Sequence, residues 1–134
     1  MKKLSKILLV DDDNINNYIN KHLILKAGFA QEVNIVLNGE EALNYLKSQD
    51  AEGHEMPELL LLDINMPVMD GFEFLEAFTK QTIKGSENIK IVMLTTSTNP
   101  NDTGKIKDTL IVKDYINKPL TEGKLNDIVQ KHFS

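Results

Sequence analysis

Two clusters of carboxylates, each closing an apolar run, carry the chemistry this chain can offer. The first is Leu8-Leu9-Val10-Asp11-Asp12-Asp13. The second is Leu59-Leu60-Leu61-Leu62-Asp63, continued by Ile64-Asn65-Met66-Pro67-Val68-Met69-Asp70-Gly71. Apolar runs bounded by charge read as strands buried on both faces, the kind found in parallel sheets. An acid at the carboxyl end of such a strand sits where open α/β sheets bind ligands. Two such ends side by side would crowd negative charge into one crevice, an arrangement that calls for a divalent cation. Two further strand ends bring Thr95-Thr96 and Lys118-Pro119. A carboxylate at a magnesium ion can act as nucleophile toward a phosphoryl group. The transferred group then needs positive charge and donors around its oxygens, which Lys118 and the Thr95 hydroxyl could supply. This is a toolkit for phosphoryl transfer.

The elements that must position these residues alternate in type along the chain. Strands are expected near Lys6–Asp11, Glu32–Leu37, Leu59–Asp63, Lys90–Thr95 and Tyr115–Asn117. Five helices lie between and after them. The first spaces Ile15, Ile19, Leu23 and Ala27 by four residues and stops at Gly28. The second begins at Asn38, with Glu41 in a capping-box position, and buries Ala42, Leu43 and Leu46. The third follows Asp70-Gly71 and offers Phe74, Leu75 and Phe78. The fourth has Asn99 as cap, Pro100 in its first turn, and Ile106 and Leu110 as anchors. The fifth runs from Thr121, with Leu125, Ile128, Val129 and Phe133 facing inward. Strict alternation of this kind favours a doubly wound parallel α/β sheet of order 2-1-3-4-5. Strands one and three are neighbours in that order, so Asp11, Asp12 and Asp63 would meet.

Composition bounds the reading. At 134 residues the chain is expected to form one domain (1–134), with 41% hydrophobic and 26% charged residues as in soluble globular proteins. A net charge of −5 argues against nucleic acid as a direct partner. The absence of cysteine excludes disulfides and thiolate chemistry. No apolar run approaches the ~20 residues that span a bilayer, so no membrane insertion is expected and a cytoplasmic protein is the simplest reading. The three histidines, His22, His54 and His132, share no metal-ligand spacing. Asp13 reads as a helix N-cap, and Asp70 and Gly71 as turn residues.

With these residues in place, the chain closely resembles the receiver domain of two-component response regulators. The resemblance rests on Asp11-Asp12, on Asp63 through Gly71, on Ile91-Val92-Met93-Leu94-Thr95, and on Tyr115-Ile116-Asn117-Lys118-Pro119-Leu120, in the family's order. It implies a flavodoxin-like fold with Asp63 as the phosphoacceptor, phosphorylated by a sensor histidine kinase or a phosphotransfer protein. It implies Mg2+ held by Asp12, Asp63 and the Asn65 backbone carbonyl, with Asp11 acting through water. Lys118 would pair with the acceptor and then with the phosphoryl oxygen. Thr95 would hydrogen-bond the phosphoryl group, Tyr115 would follow it, and the face of helix four, strand five and helix five would change partner affinity. Asn65, Thr96 and Ser97 would tune the lifetime of the phosphorylated state. The protein would be a switch rather than an enzyme, assisting its own phosphorylation and dephosphorylation, with an unidentified protein target and phosphorylation-dependent dimerisation among its outputs.

Some features depart from the family. Thr96 is bulkier than the residue usual there, and Leu110-Ile111-Val112-Lys113-Asp114 replaces a small, glycine-containing segment. Two polar stretches, Ser48–Pro57 and Thr79–Asn88, read as long surface connections, and the first could extend helix two. The start at Met1 and the lack of a trailing linker favour a stand-alone receiver over a fragment of a larger regulator or hybrid kinase. The alternatives are a haloacid-dehalogenase-like phosphohydrolase using Asp11 of the Asp-x-Asp spacing as nucleophile, and a degenerate receiver serving as a docking module.

Overall fold

The computed structural model describes residues 3–81, 83–96, 104–106, 109 and 111–133. Five strands, β1 (Leu4–Val10), β2 (Ala30–Val36), β3 (Leu59–Asp63), β4 (Lys90–Thr95) and β5 (Val112–Asn117), form one sheet of order β2-β1-β3-β4-β5. All four neighbouring pairs are parallel. Helices α1 (Asn14–Lys26), α2 (Gly39–Ala51), α3 (Gly71–Lys80) and a C-terminal helix (Glu122–Phe133) cover its two faces.

The central strands separate their side chains by parity into two cores. Leu8, Val10, Leu60, Leu62, Ile91 and Met93 pack on one face with α2 and α3 residues Leu43, Leu46, Phe74 and Phe78. Ile7, Leu9, Leu59, Leu61, Val92 and Leu94 pack on the other with Ile24, Leu125, Ile128 and Val129. Every residue of β3 is buried, as an apolar run covered on both sides requires. Each such leucine contributes about 1.5–3 kcal/mol.

Helix starts follow the local chemistry. Asp13 caps α1, its Oδ1 accepting from the Ile15 and Asn16 N–H groups at 2.9 and 3.1 Å. Asp70 and Glu73 form a full capping box at α3. At α2 the Asn38 side chain takes the Glu41 N–H, while Glu41 reaches one residue further back, to the Leu37 N–H. Ser48 through Ala51 do extend α2.

Three expectations need correction. Strand five begins three residues earlier than its aromatic residue, at Val112, because Val112 pairs with Ile91 of β4 and packs with Ile111 against the core. The Thr79–Asn88 stretch is not all surface connection: it holds the end of α3, a 3-10 turn at Ser86–Asn88 and buried Ile83. The third concerns α1. Ile15 and Ile19 are 72% and 53% exposed, whereas Asn17, Asn20 and Ile24 are the residues that face inward. The start of this helix packs against the polar end of β1, where an amide is better matched than an alkyl group. The cap of the fourth expected helix, Asn99-Pro100, and its anchor Leu110 lie outside the described residues; 104–106 are helical, with Ile106 buried.

Candidate acidic site at the carboxyl edge of the sheet

Neighbouring β1 and β3 bring their carboxyl ends together, with Val10 opposite Leu62. Asp63 closes β3, and Asp11 and Asp12 follow β1 directly. One carboxylate oxygen from each of Asp11, Asp12 and Asp63 lies within 4.8 Å of the others. Asp11 and Asp63 are buried, Asp12 is exposed. Gly71 lets α3 start directly against the end of β3, since a Cβ there would stand 2.6 Å from the Asp63 carbonyl oxygen.

Lys118 enters from the end of β5. Its Nζ donates to Asp11 Oδ2 at 3.0 Å and lies 3.3 Å from Asp63 Oδ1. Its N–H donates to the Thr95 carbonyl at 2.8 Å, which ties the loop after β5 to the end of β4. Thr95 itself is buried at the last position of β4.

The two buried acids are held differently. Asp11 uses both oxygens: Oδ1 accepts the Asp13 N–H at 3.0 Å, and Oδ2 takes Lys118. Asp63 makes both of its contacts through Oδ1, from the Ile64 N–H at 2.9 Å and from Lys118. Among the described residues its Oδ2 has no protein partner. Burial, reinforced by the charge of Asp11 and opposed by Lys118, pushes Asp63 up to about 6. For Lys118, burial alone would lower the pKa, but the Asp11 hydrogen bond and the charges of Asp63 and Asp11 outweigh it and the net shift is upward. Three carboxylates against one ammonium leave uncompensated negative charge among oxygen donors, a set that fits magnesium.

The other expected residues occupy varied positions. Asn65 is exposed on the loop just after Asp63. Exposed Thr96 lines a groove of about 340 Å³ with Asn16, Asn20, Lys118 and Leu120, so its branched side chain stands beside the lysine. Tyr115 lies opposite Met93 on β5, half-buried against the core. Ser97 lies outside the described residues. His22 and His54 are exposed, and His54 pairs with Glu52 at 3.2 Å. His132 is half-buried and contacts Asp114 at 3.1 Å. Burial opposes ionisation of Asp114, but donors from His132, the Tyr115 backbone and Lys131 hold its carboxyl below the usual range.

Sequence reasoning missed two residues close to this site. Buried Asn17 donates through Nδ2 to the Asp11 backbone carbonyl at 2.8 Å. Lys124, in the first turn of the C-terminal helix, donates to the carbonyls of Asn117 and Pro119. The spacing of Asn17 and Asn20 on one helix face was the available signal for the first, and nothing marked the second.

The described residues contain no helix long and apolar enough to cross a membrane. A family described as the response regulator receiver domain matches residues 7–130. A two-component response regulator from Cytophaga hutchinsonii superposes with a TM-score of 0.86 at 34% identity, covering 97% of each chain. The probable methanogenesis regulatory protein FilR2 of Methanothrix harundinacea is 32% identical over 93% of this chain and 79% of its own length. Hybrid signal transduction histidine kinase L of Dictyostelium discoideum is 30% identical over 98% of this chain, which spans only 7% of that protein. Matching sheet order, acidic cluster and near-complete coverage converge on one assignment: the chain belongs to the response regulator receiver domains of two-component systems.

Proposed function

We propose that this chain is a phosphorylation-driven switch in which Asp63 accepts a phosphoryl group from a histidine of a sensor kinase or phosphotransfer protein. The observation that carries this reading is the asymmetry between the two buried acids. Asp11 has both oxygens occupied, whereas among the described residues Asp63 keeps Oδ2 without a protein partner beside the Lys118 ammonium. The Asp63 oxygen forms the new P–O bond as the donor's P–N bond breaks. The departing imidazole nitrogen keeps the electron pair and takes up a proton. Lys118 moves with little displacement from the carboxylate to a phosphoryl oxygen, and the Thr95 hydroxyl donates to another.

Asp12, Asp63 and the Asn65 carbonyl would hold Mg2+, with Asp11 acting through water. When bound, this ion supplies charge neutralisation around the transferred group. Thr95 and Tyr115 sit on adjacent strands, one buried at the site and one half-buried toward the outside. Engagement of Thr95 by the phosphoryl group would therefore shift the population of Tyr115 positions and alter the face beside β5. Asn65, Thr96 and Ser97 would set how readily water reaches the phosphoryl group. Ile15, Tyr18 and Ile19, exposed on α1 next to the acids, give the protein donor an apolar surface to seat on.

The test is incubation with phosphoramidate or acetyl phosphate, with and without magnesium, read by intact mass. A magnesium-dependent gain of one phosphoryl group, absent in Asp63→Asn, is the expected result. A gain that persists in Asp63→Asn but vanishes in Asp11→Asn would transfer the nucleophile to Asp11 and favour a hydrolase. No gain at all would reduce the domain to a docking module.

A further inference from the structure

The lysine that faces the acids hangs from a loop, and the loop is held by a second lysine. Lys118 lies between Asn117, the last residue of β5, and Pro119. The Lys124 Nζ donates to the Asn117 carbonyl at 2.8 Å and to the Pro119 carbonyl at 3.1 Å. One ammonium thus bridges the two carbonyls that bracket Lys118, while the Lys118 N–H is fixed to Thr95. Lys124 sits in the first turn of the C-terminal helix, where Thr121 Oγ1 accepts its N–H at 3.2 Å. That turn is the positive end of the helix dipole, a poor place for a cation unless acceptors compensate. The two carbonyls are those acceptors.

We propose that Lys124 is a positioning residue for the phosphorylation site, gripping the backbone on both sides of Lys118 and so fixing the reach of the Lys118 ammonium toward Asp11 and Asp63. The inference rests on the reading of Lys118 given above. It also places the control of that residue on the outer surface, because Lys124 lines a groove with Tyr115, Asp127 and Ile128.

Lys124→Met keeps the aliphatic stem and removes the donor; Lys124→Arg keeps a donor able to span two carbonyls. With phosphoramidate and saturating magnesium, the maximal phosphorylation rate of Lys124→Met should fall severalfold, less than the ~100-fold that a 1 Å misplacement of a reacting group can cost. The donor concentration for half-maximal rate should not change, and Lys124→Arg should recover most of the loss. In the unphosphorylated protein, the Lys118 ε-methylene resonances should move in Lys124→Met and stay in place in Lys124→Arg. Wild-type rate and unmoved Lys118 resonances in Lys124→Met would overturn the proposal. Equal rate losses in both variants with Lys118 unmoved would overturn it too, pointing to helix packing instead. If the wild-type chain takes no phosphoryl group, the site reading fails, and the resonances alone then decide whether Lys124 positions Lys118. Lys124→Gln, too short to span both carbonyls, is read in the same way should the methionine variant not fold.

Discussion

The sheet holds a lysine inside the fold at each end, and the company of the two differs. At the amino end Lys6, 8% exposed, donates to the Glu55 carbonyl at 2.9 Å and to Gln49 Oε1 at 3.2 Å, with the Glu32 carboxylate at 3.8 Å. Beside it the Glu58 carboxylate accepts the Ser5 N–H at 2.7 Å, and together they fasten the connector between α2 and β3. At the carboxyl end Lys118 meets the carboxylates of Asp11 and Asp63, a third acid stands nearby, and burial holds Asp63 at about 6. The same end contains Val68, held at a φ of 68°. The amino end is electrostatically satisfied and serves the fold. The carboxyl end retains negative charge that an incoming cation or phosphoryl group can engage, and backbone strain beside it, and that imbalance sets the proposed phosphorylation site apart.

Exchanging each lysine for methionine separates the two roles. Lys118→Met should slow phosphorylation by phosphoramidate about 100-fold, the usual cost of removing a donor aimed at developing charge. Its stability at neutral pH should fall as well, because the buried Asp11 and Asp63 carboxylates lose their cation. Lys6→Met should cost stability alone: about 1 kcal/mol lost in urea unfolding, since a part-buried carbonyl and amide oxygen lose their donor, with phosphorylation unaltered. A Lys6 variant of wild-type stability, or a Lys118 variant of wild-type rate, would erase the distinction between the two ends.

The carboxylate at the reactive end should itself be a burden on the fold. Asp63 binds its proton more tightly folded, at about 6, than at its ordinary 3.8, so the native state holds more protons between those values. Stability in magnesium-free buffer should therefore fall as pH rises through that window, the opposite of a salt-bridged acid. Asp63→Asn should gain about 1–2 kcal/mol at neutral pH, a figure discounted for solvent screening, and should flatten this part of the profile. Urea titrations across the window check both. An Asp63→Asn chain no more stable than wild type at neutral pH would mean that Lys118 already balances the site.

Much of this was legible in the residues because it depends on period and punctuation. Four leucines after Pro57 and before Asp63 are too short for a helix and read as a strand covered on both faces, and the strand order then brings Asp11, Asp12 and Asp63 together. Asp13, Asn38 and the inward residues of α3 and the C-terminal helix follow equally local rules. Helix α1 did not, because periodicity reports which side chains are apolar and not what they face. Ile15 and Ile19 share the four-residue spacing of Leu23 and Ala27, yet the fold sets Asn17 against the polar end of β1 and leaves both isoleucines exposed. Lys124 was invisible for a related reason: its acceptors are backbone carbonyls, which carry no side-chain signature. The site's acids are encoded by position in the chain, whereas the residues that orient its lysine exist only once the loop is closed.

The smallest expected effect concerns the strained loop at the reactive end. Val68 is the centre of a tight turn in which the Met69 N–H donates to the Pro67 carbonyl at 2.7 Å. A β-branched side chain in the left-handed region crowds the neighbouring carbonyl, at a cost of about 1–2 kcal/mol. Its packing return is small, since Val68 is 73% exposed. Asparagine adopts this region readily, so Val68→Asn should raise stability by about 1 kcal/mol. Val68→Ala, which removes the branch and keeps Cβ, should gain less. Urea unfolding of the two variants gives the ranking. The gain should appear without magnesium or phosphate, because the strain belongs to the backbone and not to the charge cluster. If Val68→Asn is no more stable than wild type, strain leaves the account of the carboxyl end, and the difference between the two ends of the sheet is one of charge alone.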